Sequence, residues 1–150
     1  MVSWCGDKVF RGEATHSVDS KFRIIIPVKF REQLGERFVI TRGLDDCLFA
    51  YPMEAWAEFE AKVNSLPMSD PDVRRFVRAF VGGAFDAELD AQGRSVLPLH
   101  LREHAGIGKE VVFVGALDKL EIWDSGKHKG ECANPEGFKK AADTLVRFGI

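Results

Sequence analysis

The chain has 150 residues, 45% of them apolar, and a formal net charge of −2. That length suits one compact unit or two small halves sharing a core, and the near-neutral charge does not by itself suggest a nucleic-acid binder. No apolar run approaches the roughly 20 residues that span a bilayer, and Met1 to Val9 carries Asp7 and Lys8 without an apolar stretch, so a cytoplasmic protein with no membrane partner is expected.

In chain order, Phe10 to Ser17 reads as a strand leading into a turn at Asp19 to Phe22. Arg23 to Ile26 is β-branched and strand-like, and Pro27 stops it. Val28 to Leu34 is a short helix closed by Gly35. Phe38 to Thr41 and Leu48 to Tyr51 make a second strand pair around a turn at Gly43 to Asp46, which puts Cys47 in the core. Cys5, Cys47 and Cys132 are odd in number and too far apart for a metal knuckle, so they read as reduced thiols.

From Pro52, which suits a first helical position, the pattern turns helical. Met53, Trp56, Phe59 and Val63 recur at helical spacing, and Ser69 or Asp70 caps a second helix from Pro71 that carries Val73, Phe76, Val77 and Phe80. This aromatic stripe reads as core or subunit interface. Strands at Ala84–Leu89 and Arg94–Leu97, a helix Leu99–Ala105 capped by Gly106, and strands at Glu110–Val114 and Leu120–Trp123 follow. Ser125 to Gly130 reads as a polar linker, and a last helix runs from Pro135 to Phe148.

The order repeats because the sequence repeats. Val18 to Glu32 returns as Leu89 to Glu103, with Asp, Arg, Pro, Arg and Glu all recurring at an offset of 71. After a one-residue slip, Val39 to Gly43 matches Val111 to Gly115, Leu48 matches Leu120 and Tyr51 matches Trp123. Pro52 to Gly82 has no sequence counterpart in the second copy. A duplicated unit implies two halves related by approximate twofold symmetry. Such short strands are not stable as isolated hairpins, so the copies must bury apolar faces against each other.

Charge is unevenly spread. Residues 1–43 hold eight Lys/Arg against five Asp/Glu, residues 44–90 four against ten, and residues 91–150 nine against eight. The first copy carries the positive charge, and a local basic face can bind phosphate in a chain that is acidic overall. In both copies an Asp-x-x-x-Arg turn joins two strands: Asp19 to Arg23 and Asp90 to Arg94. Its bland reading is a hairpin tied by a local Asp–Arg contact. Its functional reading is a pair of arginines that hold guanine edges or phosphate while each Asp fixes the guanidinium fork.

Val9-Phe10-Arg11-Gly12, Val18-Asp19-Ser20-Lys21-Phe22-Arg23 with Ile26-Pro27, Tyr51-Pro52 with Trp56, Leu89-Asp90 with Gly93-Arg94 and Pro98, and Leu120-Glu121-Ile122-Trp123-Asp124 together resemble the MraZ family over about residues 9–125. The resemblance implies an α+β fold: tandem AbrB-like swapped-hairpin β-barrel halves in one chain with peripheral helices. The expected units are a first repeat at 9–56, a helical insert at 57–82, a second repeat at 83–125, and a C-terminal linker and helix at 126–150. It also implies a bacterial regulator of the cell-division and cell-wall gene cluster that contains its own gene. Such a protein binds direct repeats in promoter double-stranded DNA, self-associates into a ring and is found at the nucleoid. Carried over by position, the DNA-binding residues are Lys21, Arg23 and Arg94, with Asp19 and Asp90 as their anchors.

Two features depart from the family pattern. Gly93 precedes the second motif Arg, whereas the first copy has Phe22 there, although glycine is the usual residue at positive φ. Either the first turn takes another shape, or Phe22 is an exposed aromatic that packs on a neighbour or on DNA. A leader also precedes Val9-Phe10, where family chains usually begin, so Val9 is a candidate native start.

Other chemistry is weaker. His100-Leu101-Arg102-Glu103-His104 fits the H-x-x-E-H zinc-protease spacing. However, Pro98 and Gly106 confine that helix to about two turns, and Lys29 to Gln33 of the first copy lacks histidine. Neither a metal nor a cofactor is expected, nor an enzyme activity or small-molecule substrate. Arg74-Arg75-x-x-Arg78 reads as a basic helical face, either solvated or touching phosphate or acidic neighbours. The alternative function is an AbrB-like interaction module of antitoxin type, with the last helix as the partner-binding tail.

Overall fold

The computed structural model describes residues 9–132 and 134–150; the readings of the leader and of Cys5 fall outside them. The first copy supplies β1 (Glu13–Ser17), β2 (Arg23–Ile25), α1 (Val28–Leu34), β3 (Arg37–Arg42) and β4 (Leu48–Pro52). Two helices follow, α2 (Met53–Asn64) and α3 (Pro71–Phe76), and α3 continues into a π turn at Val77–Val81. The second copy supplies β5 (Phe85–Glu88), β6 (Arg94–Val96), α4 (Leu99–Ala105), β7 (Glu110–Gly115) and β8 (Leu120–Asp124). Then come α5 (Ser125–Cys132), α6 (Pro135–Thr144) and a tight 3-10 turn at Leu145–Phe148.

The fold is α+β, with a six-stranded antiparallel sheet in the order β1-β7-β8-β4-β3-β5 and a separate ribbon of β2 and β6. The copies interleave in both. β1 of the first copy lies on β7 of the second, and β5 of the second lies on β3 of the first. The β4–β8 pair is centred on Phe49 opposite Glu121, and the β2–β6 pair on Ile24 opposite Ser95. Both are equivalent positions of the repeat, so one approximate twofold runs through sheet and ribbon.

The core follows the same logic. Ile24, Ile26, Phe30 and Leu34 of one copy meet Leu97, Leu101 and Ala105 of the other beneath one face of the sheet. Neither copy has a core of its own. On the opposite face, Val39, Cys47, Phe49, Tyr51 and Trp123 pack with Trp56 and Phe80 from α2 and the π turn. The aromatic stripe is therefore core, with Phe76 and Phe80 stacked at 4.8 Å between ring centroids. Burial pushes the Cys47 thiol up to about 12, which keeps it protonated at neutral pH.

Three local outcomes differ from expectation. The first strand begins at Glu13 because Gly12, at φ +92°, turns the chain; Phe10 keeps only a single bridge to Leu117. Pro52 ends β4 and stands just before α2. The third is larger: Ser125 to Gly130 is not a linker but the body of α5. Asp124 Oδ2 accepts the N–H groups of Gly126 and Lys127 at 3.1 and 3.4 Å, the bonding of a helix N-cap. Lys127 reaches Asp46 at 3.7 Å and His128 reaches Glu13 at 3.2 Å. These contacts outweigh the poor helix propensity of Gly126 and Gly130, about 1 kcal/mol each. Thus α5 and α6 follow β8 as α2 and α3 follow β4.

Candidate nucleic-acid interface

Each turn is organised by its aspartate. Asp19 Oδ1 accepts the backbone N–H groups of Lys21 and Arg23, both at 2.9 Å, and Oδ2 accepts Arg23 Nε at 2.7 Å. Asp90 Oδ1 accepts the N–H groups of Gln92 and Arg94, again at 2.9 Å, and Oδ2 accepts Arg94 Nε at 2.7 Å. The backbone closes each loop in the same way, with Phe22 N–H on Asp19 O and Gly93 N–H on Asp90 O, both at 3.0 Å. An Asp side chain that bonds the chain two residues on is a turn former in its own right.

These bonds hold both carboxyls below their ordinary value. The Arg23 backbone N–H acts most strongly on Asp19, its guanidinium and the Lys21 N–H add to it, and partial desolvation opposes them. Asp90 has the same set from Arg94 and Gln92. Because Nε faces the aspartate, the planar guanidinium is fixed at its base with its Nη groups beyond the carboxylate. The arginine side chains are only 28% and 27% exposed, so they are held rather than freely waving.

The turns differ in what holds the end of the guanidinium. Arg94 Nη2 also donates to Gln92 Oε1 at 3.0 Å. In the first copy that position is Lys21, which has no acceptor. Among the described residues no hydrogen bond ties the Nη groups of Arg23, and exposed Lys21 adds a positive charge beside it.

Phe22 has φ +59° and Gly93 has φ +77°, so the first turn takes the same shape as the second despite its bulky residue. Left-handed backbone costs an ordinary residue about 1–2 kcal/mol. The offset comes from the other copy: the Arg102 guanidinium lies 3.7 Å from the Phe22 ring centroid, a contact worth about 0.5–2 kcal/mol. Arg102 is itself fixed by Nε on Leu97 O at 2.9 Å. Its repeat partner Arg31 donates Nε to Ile26 O at 2.7 Å and lies against Gly93, where a β-carbon would strike its guanidinium. Each helix arginine thus braces the other copy's turn. The sequence reading missed this role for Arg31 and Arg102, although both recur in the repeat; that the contact crosses between copies is not visible in a motif.

The ribbon links the two turns, one at each of its ends. Ile26 N–H donates to Gly93 O at 3.0 Å, and Leu97 N–H donates to Phe22 O at 2.8 Å. Lys21, Arg23, Arg94, Arg31 and Arg102 therefore flank one short two-stranded ribbon with a turn at each end, where the nearby carboxylates Asp19 and Asp90 are already engaged by Arg23 and Arg94. The other sequence candidates lie elsewhere. His100 Nε2 meets Gly83 O at 2.9 Å and His104 Nε2 meets Asp45 O at 3.2 Å, so the two histidines serve different segments. Arg74 bonds the carbonyls of Met68 and Ser69, and Arg75 pairs with Asp72 at 2.8 Å on an exposed face. Among the described residues no helix is long and apolar enough to cross a membrane.

Residues 9–79 and residues 80–148 each match the family described as "MraZ protein, putative antitoxin-like". The chain is similar to proteins named transcriptional regulator MraZ. It is 55% identical to that of Acetivibrio thermocellus over 143 residues, which cover 95% of this chain and 100% of the relative. Over the same length and coverage it is 49% identical to the protein of Moorella thermoacetica and 48% identical to that of Syntrophomonas wolfei.

Proposed function

The chain belongs to the MraZ family, and from that premise we propose that it is a sequence-specific DNA-binding regulator of transcription. It acts on the cell-division and cell-wall gene cluster that includes its own gene, binding promoter direct repeats as an oligomeric ring in the nucleoid. The reading halves are residues 9–56 and 83–125, built as AbrB-like swapped hairpins, with 57–82 and 126–150 as supporting helices. Lys21, Arg23 and Arg94 contact DNA, and Asp19 and Asp90 aim the two arginines.

One observation carries this reading: two Asp-anchored arginine forks of near-identical geometry stand on one antiparallel ribbon about an approximate twofold. A two-stranded ribbon fits the major groove, and a fixed guanidinium can bond guanine O6 and N7 together. One chain offers a small basic face, so affinity is gained by several subunits on repeated sites through effective concentration.

The test is a binding titration on the DNA upstream of the protein's own gene, against a shuffled duplex, at two salt concentrations. Wild type should bind tightly, with sequence preference and a steep loss of affinity as salt rises. Arg23→Ala combined with Arg94→Ala should remove the preference. Arg23→Ala alone should weaken specific binding more than Arg78→Ala; equal losses would replace the fork with a diffuse basic surface.

A second reading draws on α6 and the turn after it, where Phe138, Val146, Phe148 and Ile150 are all more than 70% exposed. In that reading the tail holds a protein partner, as in an antitoxin. Such an apolar contact should survive the salt that strips DNA, which separates the two.

A further inference from the structure

The ribbon carries more than arginines on its outer face. Along β2 the residues alternate between Arg23, half-buried and engaged, Ile24, fully buried, and Ile25, 36% exposed. Along β6 they run Arg94, Ser95 (2% exposed) and Val96 (44% exposed). Ile24 and Ser95 face the core, so Arg23, Ile25, Arg94 and Val96 share the opposite face. The register sets Arg23 beside Val96 and Ile25 beside Arg94. Two arginines and two aliphatic side chains therefore alternate as a square about the twofold.

We propose that Ile25 and Val96 are specificity residues that read the 5-methyl groups of thymine in the major groove. The inference rests on the DNA-binding reading above and adds a second letter to it. Arginine takes the acceptor edge of guanine, and an apolar side chain takes the methyl of thymine, the one apolar group a base pair shows in that groove. Residues two apart on a strand are separated by about 6.5–7 Å, which is about two base-pair steps at ~3.4 Å each. Arg23 with Ile25, and Arg94 with Val96, thus call for a guanine and a thymine about two steps apart in each half of the site.

β-Branching alone does not account for these side chains, because threonine would serve an exposed ribbon equally well without an apolar surface. The same apolar choice is made at both equivalent positions. Since Lys21 differs from Gln92 and Phe22 from Gly93, the two halves of the site share this guanine–thymine spacing while differing at their flanks.

The experiment is selection of the full-length protein on a random duplex pool, followed by titration of the selected duplex made with thymine or with deoxyuridine. Deoxyuridine keeps every hydrogen-bonding group and removes only the methyl. Wild type should bind the uracil duplex roughly fourfold more weakly for each methyl read, the value of one buried methyl-sized group. Ile25→Ala with Val96→Ala should bind both duplexes alike, while keeping wild-type affinity for a shuffled duplex as proof that the turns are intact. Equal binding of both duplexes by wild type would overturn the inference without reference to any variant. So would a selected site lacking thymine, or a variant that still discriminates. Failure to select any sequence would instead sink the DNA-binding reading, and this inference with it.

Discussion

At the scale of single residues, the first turn is a balance between backbone strain and a contact supplied from the other copy. Phe22→Ala keeps the left-handed backbone and loses the Arg102 stack, so it should lower stability by about 1 kcal/mol. Phe22→Gly loses the stack but relieves the strain and should come out near neutral. Urea unfolding of both against wild type separates the two effects: an alanine variant as stable as wild type would mean that the stack contributes nothing, and one as stable as the glycine variant would mean that the left-handed backbone carries no strain. The aspartates give a pH prediction. Their folded values lie below the ordinary one near 3.8, so what they add to stability is fully present above about pH 4 and is lost as pH falls through the lowered folded values. Carboxyl titration by NMR should place the midpoints of Asp19 and Asp90 below those of exposed aspartates; ordinary midpoints would mean that the forks are open in solution. The Asp-x-x-x-Arg spacing was legible in the sequence because its bonds are local. The braces from Arg31 and Arg102 were not, because their partners lie in the other copy.

Among the elements, those with their own local signals were legible. The proline-stopped strands, the Gly-capped helices α1 and α4 and the Asp70-capped α3 all lie at or within about two residues of expectation. The α5 helix was hidden, since two glycines and few apolar residues say linker, and its cap and anchors come from β8, β1 and the loop before β4. Asp124 does double duty, as its Oδ1 also accepts the Gly108 N–H at 3.0 Å. Asp124→Ala should therefore fray α5 and cost about 1–2 kcal/mol. Hydrogen exchange should show residues 125–132 losing protection ahead of β8; uniform exchange across both elements would show that the cap does not hold the helix. The π turn was likewise unreadable from spacing. It brings Phe80 O to Thr41 Oγ1 at 2.6 Å and Ala79 O to Arg42 Nη1 at 2.6 Å, contacts set by the neighbouring β3.

At the scale of the molecule, the repeat announced two related halves, but only the strand pairing shows how far they interleave. Because β1 lies on β7 and β5 on β3, neither half is a folding unit alone. Residues 9–79 expressed alone should give no folded monomer: sedimentation should find either a self-paired dimer or an unfolded chain, and a stable folded monomer would mean that each copy can close its own sheet. The interleaving also has a consequence in time. During synthesis at roughly 5–20 residues per second, β1 emerges early and then waits about 5–20 s until β7 is made. The β2–β6 ribbon cannot form until residue 96 has been added. A chain cut short by premature termination before that point has one charged loop and no ribbon. As a monomer, such an incomplete product lacks the paired ribbon, which the chain acquires only once about two thirds of it has been made.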